Sequence, residues 1–359
     1  MSQVLSLPAA VAGAEPKVAR VLVVDDSVVA RAALGRMVDA TKRFAVAGSV
    51  GAVQSALNFL RQHQVDIILL DLEMPGIDGL SALPDLIAAG RGAQVLVVSA
   101  AAGNGASATI QALALGAADT LVKPGIGDLA SRFAGQLEER LTRMLDTMER
   151  AEAPARSQVP TADAPAQLPD IAPFDIVAIG ASTGGIHALS KLLRALPVEC
   201  MLPILVTQHL PATFMPYFAA QLAVLAGRPC DVAEDYMGVR PGRLIVAPGD
   251  AHIRVARSSE GAVIRLTDEA VASGCKPSVD PMFESLATSF GKRALGIVLS
   301  GMGRDGSVGA RLLLDCGASV VVQDRASSVV WGMPGAVAGA TATLPPERIG
   351  QLIGRSRRR

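Results

Sequence analysis

VLVVDD, residues 21–26, runs four apolar residues straight into two carboxylates, and the first third of the chain repeats that pattern. IILL (67–70) ends in Asp71, QVLVVS (94–99) ends in Ser99, and TLV (120–122) is followed by Lys123 and Pro124. FAVAGS (44–49) is a further strand-length run, and Val28, Ala32, Leu34 and Met37 follow the first run at helical spacing. Strands that are apolar along their whole length, alternating with helices, predict a parallel sheet covered on both faces. Ligands of such sheets bind beyond the carboxyl ends of the strands, where these polar residues fall.

Asp25, Asp26 and Asp71 would converge there. Clustered carboxylates repel one another and call for a hard cation; Mg²⁺ favours oxygen ligands and commonly keeps a phosphate. One carboxylate can then accept a phosphoryl group. Ser99 can hydrogen-bond a phosphoryl oxygen, and Lys123 can pair with its charge. A single acidic residue at a strand end is an ordinary loop residue. Three carboxylates, a serine and a lysine at the ends of four strands, in order, are not.

The pattern stops and restarts. SRFAGQLEERLTRMLDTMERAE carries apolar residues at helical spacing and predicts a helix from about 128 to 152. Residues 153–172, APARSQVPTADAPAQLPDIA, are Pro- and Ala-rich without periodicity, which marks a linker. Strands resume at IVAIG (176–180), LPILVTQ (202–208), ALGIVLS (294–300) and SVVVQ (319–323), with RLIVAPG and AVIRL read as a small antiparallel excursion. The expected architecture is therefore two α/β doubly wound parallel-sheet domains. The boundaries are 1–17 as a flexible tail, 18–145, a linker at 146–173, 174–352, and a basic tail at 353–359. At 359 residues the chain exceeds the roughly 250–300 at which single cores stop growing.

Gly180-Ala181-Ser182-Thr183-Gly184-Gly185 lies between an apolar strand and a helix. A sharp turn there exposes the serine hydroxyl, and the new helix's amides can stabilise an oxyanion. The bare motif also fits a glycine-rich turn without chemistry, or a phosphate loop. A serine nucleophile needs a base, and the chain has four histidines. His209, ending the next strand, is best placed. His252 in PGDAHI is second, His187 lies on the serine's own helix, and His63 lies in the first half. Asp305, in SGMGRDG (300–306) after another apolar strand, can orient the base. Pairing Asp250 with His252 fits poorly, because the two are nearly adjacent on one turn.

The first half resembles the response-regulator receiver domain, over about residues 18–145, through VLVVDDS, DLEMPGIDG and LVKP. That resemblance implies a flavodoxin-like fold, Asp71 as phosphoacceptor, Asp25 and Asp26 as Mg²⁺-site acids with Asp71, and Ser99 and Lys123 as phosphate sensors. Thr120 stands where the family usually has an aromatic switch residue. The second half resembles the catalytic domain of the chemotaxis protein-glutamate methylesterases (CheB family) through IGASTGG, TQHLP, APGDAH, KPSVDPMF, LSGMGRDG and WGMPGA. Arg304 and Leu210 replace a common Asn and Met. The resemblance implies Ser182 as nucleophile, His209 as base, Asp305 as orienting acid, and backbone amides at Thr183 and Met302 for the oxyanion. It further implies methylated chemoreceptor helices as substrate, a chemotaxis histidine kinase as phosphodonor, glutamine deamidation by the same acyl route, a cytoplasmic location, and no cofactor at the esterase site.

Composition bears on the alternatives. Lys plus Arg and Asp plus Glu are both 33, and only 3% of residues are aromatic. Neither a charge field nor a stacking surface for nucleic acid is expected. The second half lacks the basic helix–turn–helix pattern that a DNA-binding output domain would carry. GASTGG is a degraded dinucleotide fingerprint with no ribose-binding acid about 20 residues on. Residues 1–15 lack the basic start of a secretory signal, and no run of about 18 apolar residues predicts a spanning helix. The cysteines Cys200, Cys230, Cys275 and Cys316 form no CxxC pair, so no zinc or redox dithiol is expected. A reducing compartment is the simpler fit. The arginines at 355 and 357–359 read as a solvated tail.

Overall fold

The computed structural model describes residues 18–75, 78–99, 104–123, 130–152, 168–259 and 261–355. The predicted tail at 1–17, most of the linker and the last four residues lie outside them.

The first unit is built from β1 (Ala19–Val24), α1 (Val28–Asp39), β2 (Phe44–Val50), α2 (Val53–Gln62), β3 (Ile67–Leu70), α3 (Gly79–Gly90), β4 (Gln94–Ser99), α4 (Asn104–Leu115), β5 (Asp119–Val122) and α5 (Ala130–Glu152). Its five strands are all parallel, in the order β2-β1-β3-β4-β5. β3 is buried at every position, as a strand covered on both faces must be. Ser27 caps α1 by accepting from the Ala30 amide at 3.2 Å, and Asp78 caps α3 by accepting from Ser81 at 2.7 Å. The strand order reverses between β1 and β3, so the crevice opens beside Asp25 and Asp71.

The second unit comprises β6 (Ile176–Ala181), α6 (Gly185–Arg194), β7 (Ile204–Gln208), α7 (Met215–Ala226), β8 (Cys230–Val232), β9 (Leu244–Val246), β10 (His252–Ser258), β11 (Gly261–Thr267), α8 (Val279–Phe290), β12 (Ala294–Val298), α9 (Ser307–Asp315), β13 (Ser319–Gln323), α10 (Gly332–Ala336), β14 (Ala342–Leu344) and α11 (Pro346–Arg355). Seven strands form a parallel sheet ordered β14-β13-β12-β6-β7-β9-β8. β10 and β11 form the separate antiparallel pair, with His252 opposite Thr267 at one end.

One strand differs from expectation. RLIVAPG does not belong to the antiparallel excursion: its Leu244–Val246 segment is β9, parallel to β7 and β8 in the main sheet. All three of its residues are buried, the mark of a strand covered on both faces. The partner of AVIRL is instead β10, whose burial alternates from Ile253 to Ala256.

The two units touch. α4 packs against α6 and α7. The Gly184 amide donates to the carbonyl of Ala118 at 3.1 Å, and a His187 ring nitrogen lies 3.1 Å from the carbonyl of Ala114.

Candidate active site and phosphoacceptor site

β6, β7 and β12 are neighbours in the sheet, and their carboxyl ends deliver Ser182, His209 and Asp305 to one crevice beside the point where strand order reverses. The turn after β6 is tight. Gly184 adopts φ +76°, and a Cβ there would lie 2.4 Å from that of Val329. A Cβ on Gly185 would lie 2.6 Å from that of Ala181. The glycines thus let the backbone wrap closely behind Ser182. The Ser182 amide donates to the Ser300 carbonyl at 3.0 Å, and Gln208 Nε2 donates to the Ser182 carbonyl at 2.9 Å, so both neighbouring strand ends hold the turn.

His209 Nε2 lies 2.8 Å from Asp305 Oδ2. Asp305 is 1% exposed. It also accepts from the Val279 amide at 2.8 Å, Ser278 Oγ at 2.6 Å and Ser273 Oγ at 3.1 Å. Burial opposes its charge, but the bonds from His209, Ser278 and Val279 win, and its pKa lies below the ordinary value. Burial likewise works against a charged His209; the Asp305 bond and the adjacent Cys275 thiol outweigh it and push the imidazole up to about 9. Ser182 and His209 line a common cavity of about 290 Å³, with Thr183, Met302 and Cys275 also on its wall. Among the described residues, the Ser182 hydroxyl makes no hydrogen bond, and the Thr183 and Met302 amides have no partner. The first unit closes one side of this cavity with Leu113, Ala118, Arg140 and Arg143.

The other histidines are placed elsewhere. His252 is buried, accepts from the Ser278 amide at 2.9 Å through Nδ1, and is bonded by Nε2 to the Glu269 carbonyl at 3.0 Å; both ring nitrogens are committed. His187 faces α4, and burial lowers its pKa. His63 stacks on Phe59 in the first unit. Asp250 is exposed.

In the first unit, ligand oxygens of Asp25, Asp26 and Asp71 all lie within 4.8 Å of one another. Lys123 Nζ sits 2.7 Å from Asp71 Oδ2 and 3.2 Å from Asp25 Oδ2. Burial raises the Asp71 pKa, partly offset by Lys123. Beyond that Lys123 ion pair, Asp25 Oδ2 is buried with no further hydrogen bond. Three carboxylates and an under-satisfied buried oxygen fit a hard divalent cation. Ser99 is fully buried at the end of β4, and its hydroxyl bonds that of Thr109 on α4. Thr120 is buried with its hydroxyl unpaired.

The CheB methylesterase family model matches residues 177–353, and the response-regulator receiver domain model matches residues 21–133. A protein-glutamate methylesterase/protein-glutamine glutaminase of Azospirillum brasilense is 38% identical, spanning 96% of this chain and 94% of that protein. The chain belongs to the CheB methylesterase family. Another family relative, the protein-glutamate methylesterase/protein-glutamine glutaminase 2 of Caulobacter vibrioides, is 39% identical across 93% of this chain and 97% of its own length. The crystal structure of the Thermotoga maritima CheB methylesterase catalytic domain aligns with a TM-score of 0.49 at 31% identity, covering 51% of this chain and 98% of that one. No helix among the described residues of this CheB family member is long and apolar enough to cross a membrane.

Several groups around this crevice were not singled out from sequence. Ser273 and Ser278 hold Asp305, Gln208 holds the Ser182 turn, and Cys275 sits beside His209. Ser278 lies within KPSVDPMF and Gln208 within TQHLP, so both had a motif-level signal. Ser273 and Cys275 had none.

Proposed function

We propose that this protein is a phosphorylation-activated hydrolase of glutamate methyl esters on chemoreceptor helices, with a receiver unit at 18–145, a linker at 146–173, an esterase unit at 174–352 and a basic tail at 353–359. The observation that carries it is the 2.8 Å His209–Asp305 bond beside Ser182 in one cavity, in a chain of this family. Ser182 Oγ attacks the ester carbonyl. With Nε2 held by Asp305, Nδ1 is the nitrogen that takes the serine proton and returns it to departing methanol. The Thr183 and Met302 amides stabilise the tetrahedral oxyanion. Water, activated by the same imidazole, then cleaves the acyl-enzyme and leaves a glutamate carboxylate. A glutamine side chain entering the same route would release ammonia.

Control comes from the first unit. Asp71 accepts a phosphoryl group from a chemotaxis histidine kinase in the cytoplasm. Asp25, Asp26 and Asp71 would hold Mg²⁺, which when bound supplies positive charge to the phosphoryl oxygens. Lys123 pairs with the phosphoryl charge, and Ser99 turns its hydroxyl toward it. Ser99 is bonded to Thr109 on α4, and α4 packs against α6, which starts at the Ser182 turn. Phosphorylation therefore pulls on the helix that covers the cavity, shifting the population toward an open packing. This route bypasses the aromatic switch that Thr120 replaces.

The test is methanol release from methylated receptor, with and without a small-molecule phosphodonor. Release that rises with phosphodonor is expected. No release would refute the esterase; release indifferent to phosphodonor would refute the control.

A further inference from the structure

We propose that His209, Cys275 and Asp305 form a binding site for a soft divalent cation, with Zn²⁺ the best match, and that its occupancy switches the esterase off. An imidazole nitrogen, a thiol sulfur and a carboxylate oxygen lie within 4.8 Å of one another. Tetrahedral Zn²⁺ holds sulfur at about 2.3 Å and nitrogen or oxygen at about 2.0–2.2 Å, which sets the donors roughly 3.3–3.6 Å apart. The His209–Asp305 pair, now at 2.8 Å, needs to open by about half an ångström to meet that spacing. The mixed nitrogen, sulfur and oxygen set selects Zn²⁺ over Mg²⁺, the reverse of the three-carboxylate site in the first unit.

The surroundings suit a metal. His209 and Cys275 both face the 290 Å³ cavity, which gives a hydrated ion its way in. Three protein donors leave a fourth position for water. Ser273 and Ser278 brace Asp305 from behind through Oδ1, and Oδ2, which the Val279 amide also holds, is directed at His209. On binding, the thiol gives its proton to solvent and sulfur donates to the metal; no oxidation state changes. His209 would then spend its lone pair on the metal and lose its bond to Asp305, so no base would remain for Ser182. Cys275 makes and breaks no bond in the acyl-transfer steps, although its thiol helps to raise the His209 pKa, so each variant serves as its own Zn²⁺-free reference. The switching rests on His209 as the base; the binding does not.

The experiment uses the full chain with excess Mg²⁺ to occupy the acidic site. Zn²⁺ binding is measured by competition with a chromophoric chelator, and Co²⁺ serves as a spectroscopic probe. Wild type and Ser182→Ala should each bind one equivalent, with a thiolate-to-cobalt charge-transfer absorption. Cys275→Ser should lose that band and bind Zn²⁺ more weakly, by at least the roughly tenfold that loss of an outer-shell partner alone costs, and its methanol release with Zn²⁺ is compared with its own Zn²⁺-free rate. Zn²⁺ should stop methanol release by wild type, a chelator should restore it, and Cys275→Ser should resist. A missing band, or equal Zn²⁺ affinity in Cys275→Ser, overturns the site. Binding without loss of methanol release overturns the switch. Should wild type release no methanol at all, the esterase reading falls, and the cobalt band alone decides the site.

Discussion

Replacing Asp305 by Asn changes one charge in a site that is otherwise held in place. Four donors converge on this carboxylate: the Val279 amide and His209 on Oδ2, Ser273 and Ser278 on Oδ1. The Val279 N–H cannot reverse its role, so it keeps an amide oxygen on the His209 side. The two serine hydroxyls on the other side can rotate to accept from the new NH₂. Stability should therefore fall by no more than about 1–3 kcal/mol, the cost of one poorly paired buried group. Catalysis should fall much further. Asp305 and its neighbours lift His209 from 6.5 to about 9 against burial, which corresponds to at least about 3 kcal/mol of imidazolium stabilisation. Losing the Asp305 share of that slows acyl transfer by up to roughly 10²-fold, and by about 10⁴-fold if the amide turns and selects the wrong imidazole tautomer. The sign in pH is also fixed. The base must be neutral, so wild-type kcat/KM should climb with pH toward about 9. With Asn, the Asp305 contribution is gone while Cys275 and burial remain, so the rising limb should move to lower pH. The assay is methanol release across pH, with melting temperature as the folding control. A folded Asp305→Asn protein within tenfold of wild type, with an unmoved pH limb, would refute the reasoning.

Other outcomes follow from particular contacts. Gly184→Ala combines a positive φ with a Cβ 2.4 Å from that of Val329, and should cost about 2–5 kcal/mol by denaturant melting, with activity lost at the distorted serine turn. His252→Ala removes an acceptor from the buried Ser278 amide and should lower stability by about 1–3 kcal/mol, while an equivalent His209→Ala abolishes methanol release. Thr109→Val breaks the hydroxyl bond between Ser99 and α4, so phosphodonor stimulation should shrink while Asp71 phosphorylation, followed by mass spectrometry, persists. Asp71→Asn should keep unstimulated release and lose stimulation entirely.

The parts legible in the sequence were those set by local pattern. Apolar runs ending in a polar residue located β1, β3, β4, β6, β7 and β12, because a strand buried on both faces has no other way to end than in a loop at the crevice. His209 and Asp305 were found by the same logic, and they meet. What escaped was set by tertiary packing. LIV at 244–246 is too short for its own pattern to choose between a parallel neighbour and a hairpin partner. β8 and β14 are three-residue strands, below any periodic signal. Cys275 reaches His209 across 66 positions of chain, and the Ala118 carbonyl reaches Gly184 from the other unit. Neither contact has a local signature, since a cysteine or an alanine reads the same wherever the fold carries it.

The central claim concerns the chemistry of one hydroxyl. Methanol release from methylated receptor, compared between wild type and Ser182→Ala at equal folded concentration with phosphodonor present, tests it most directly. The account predicts steady release by wild type and release at the no-enzyme background for Ser182→Ala. Comparable release by the two proteins would contradict it.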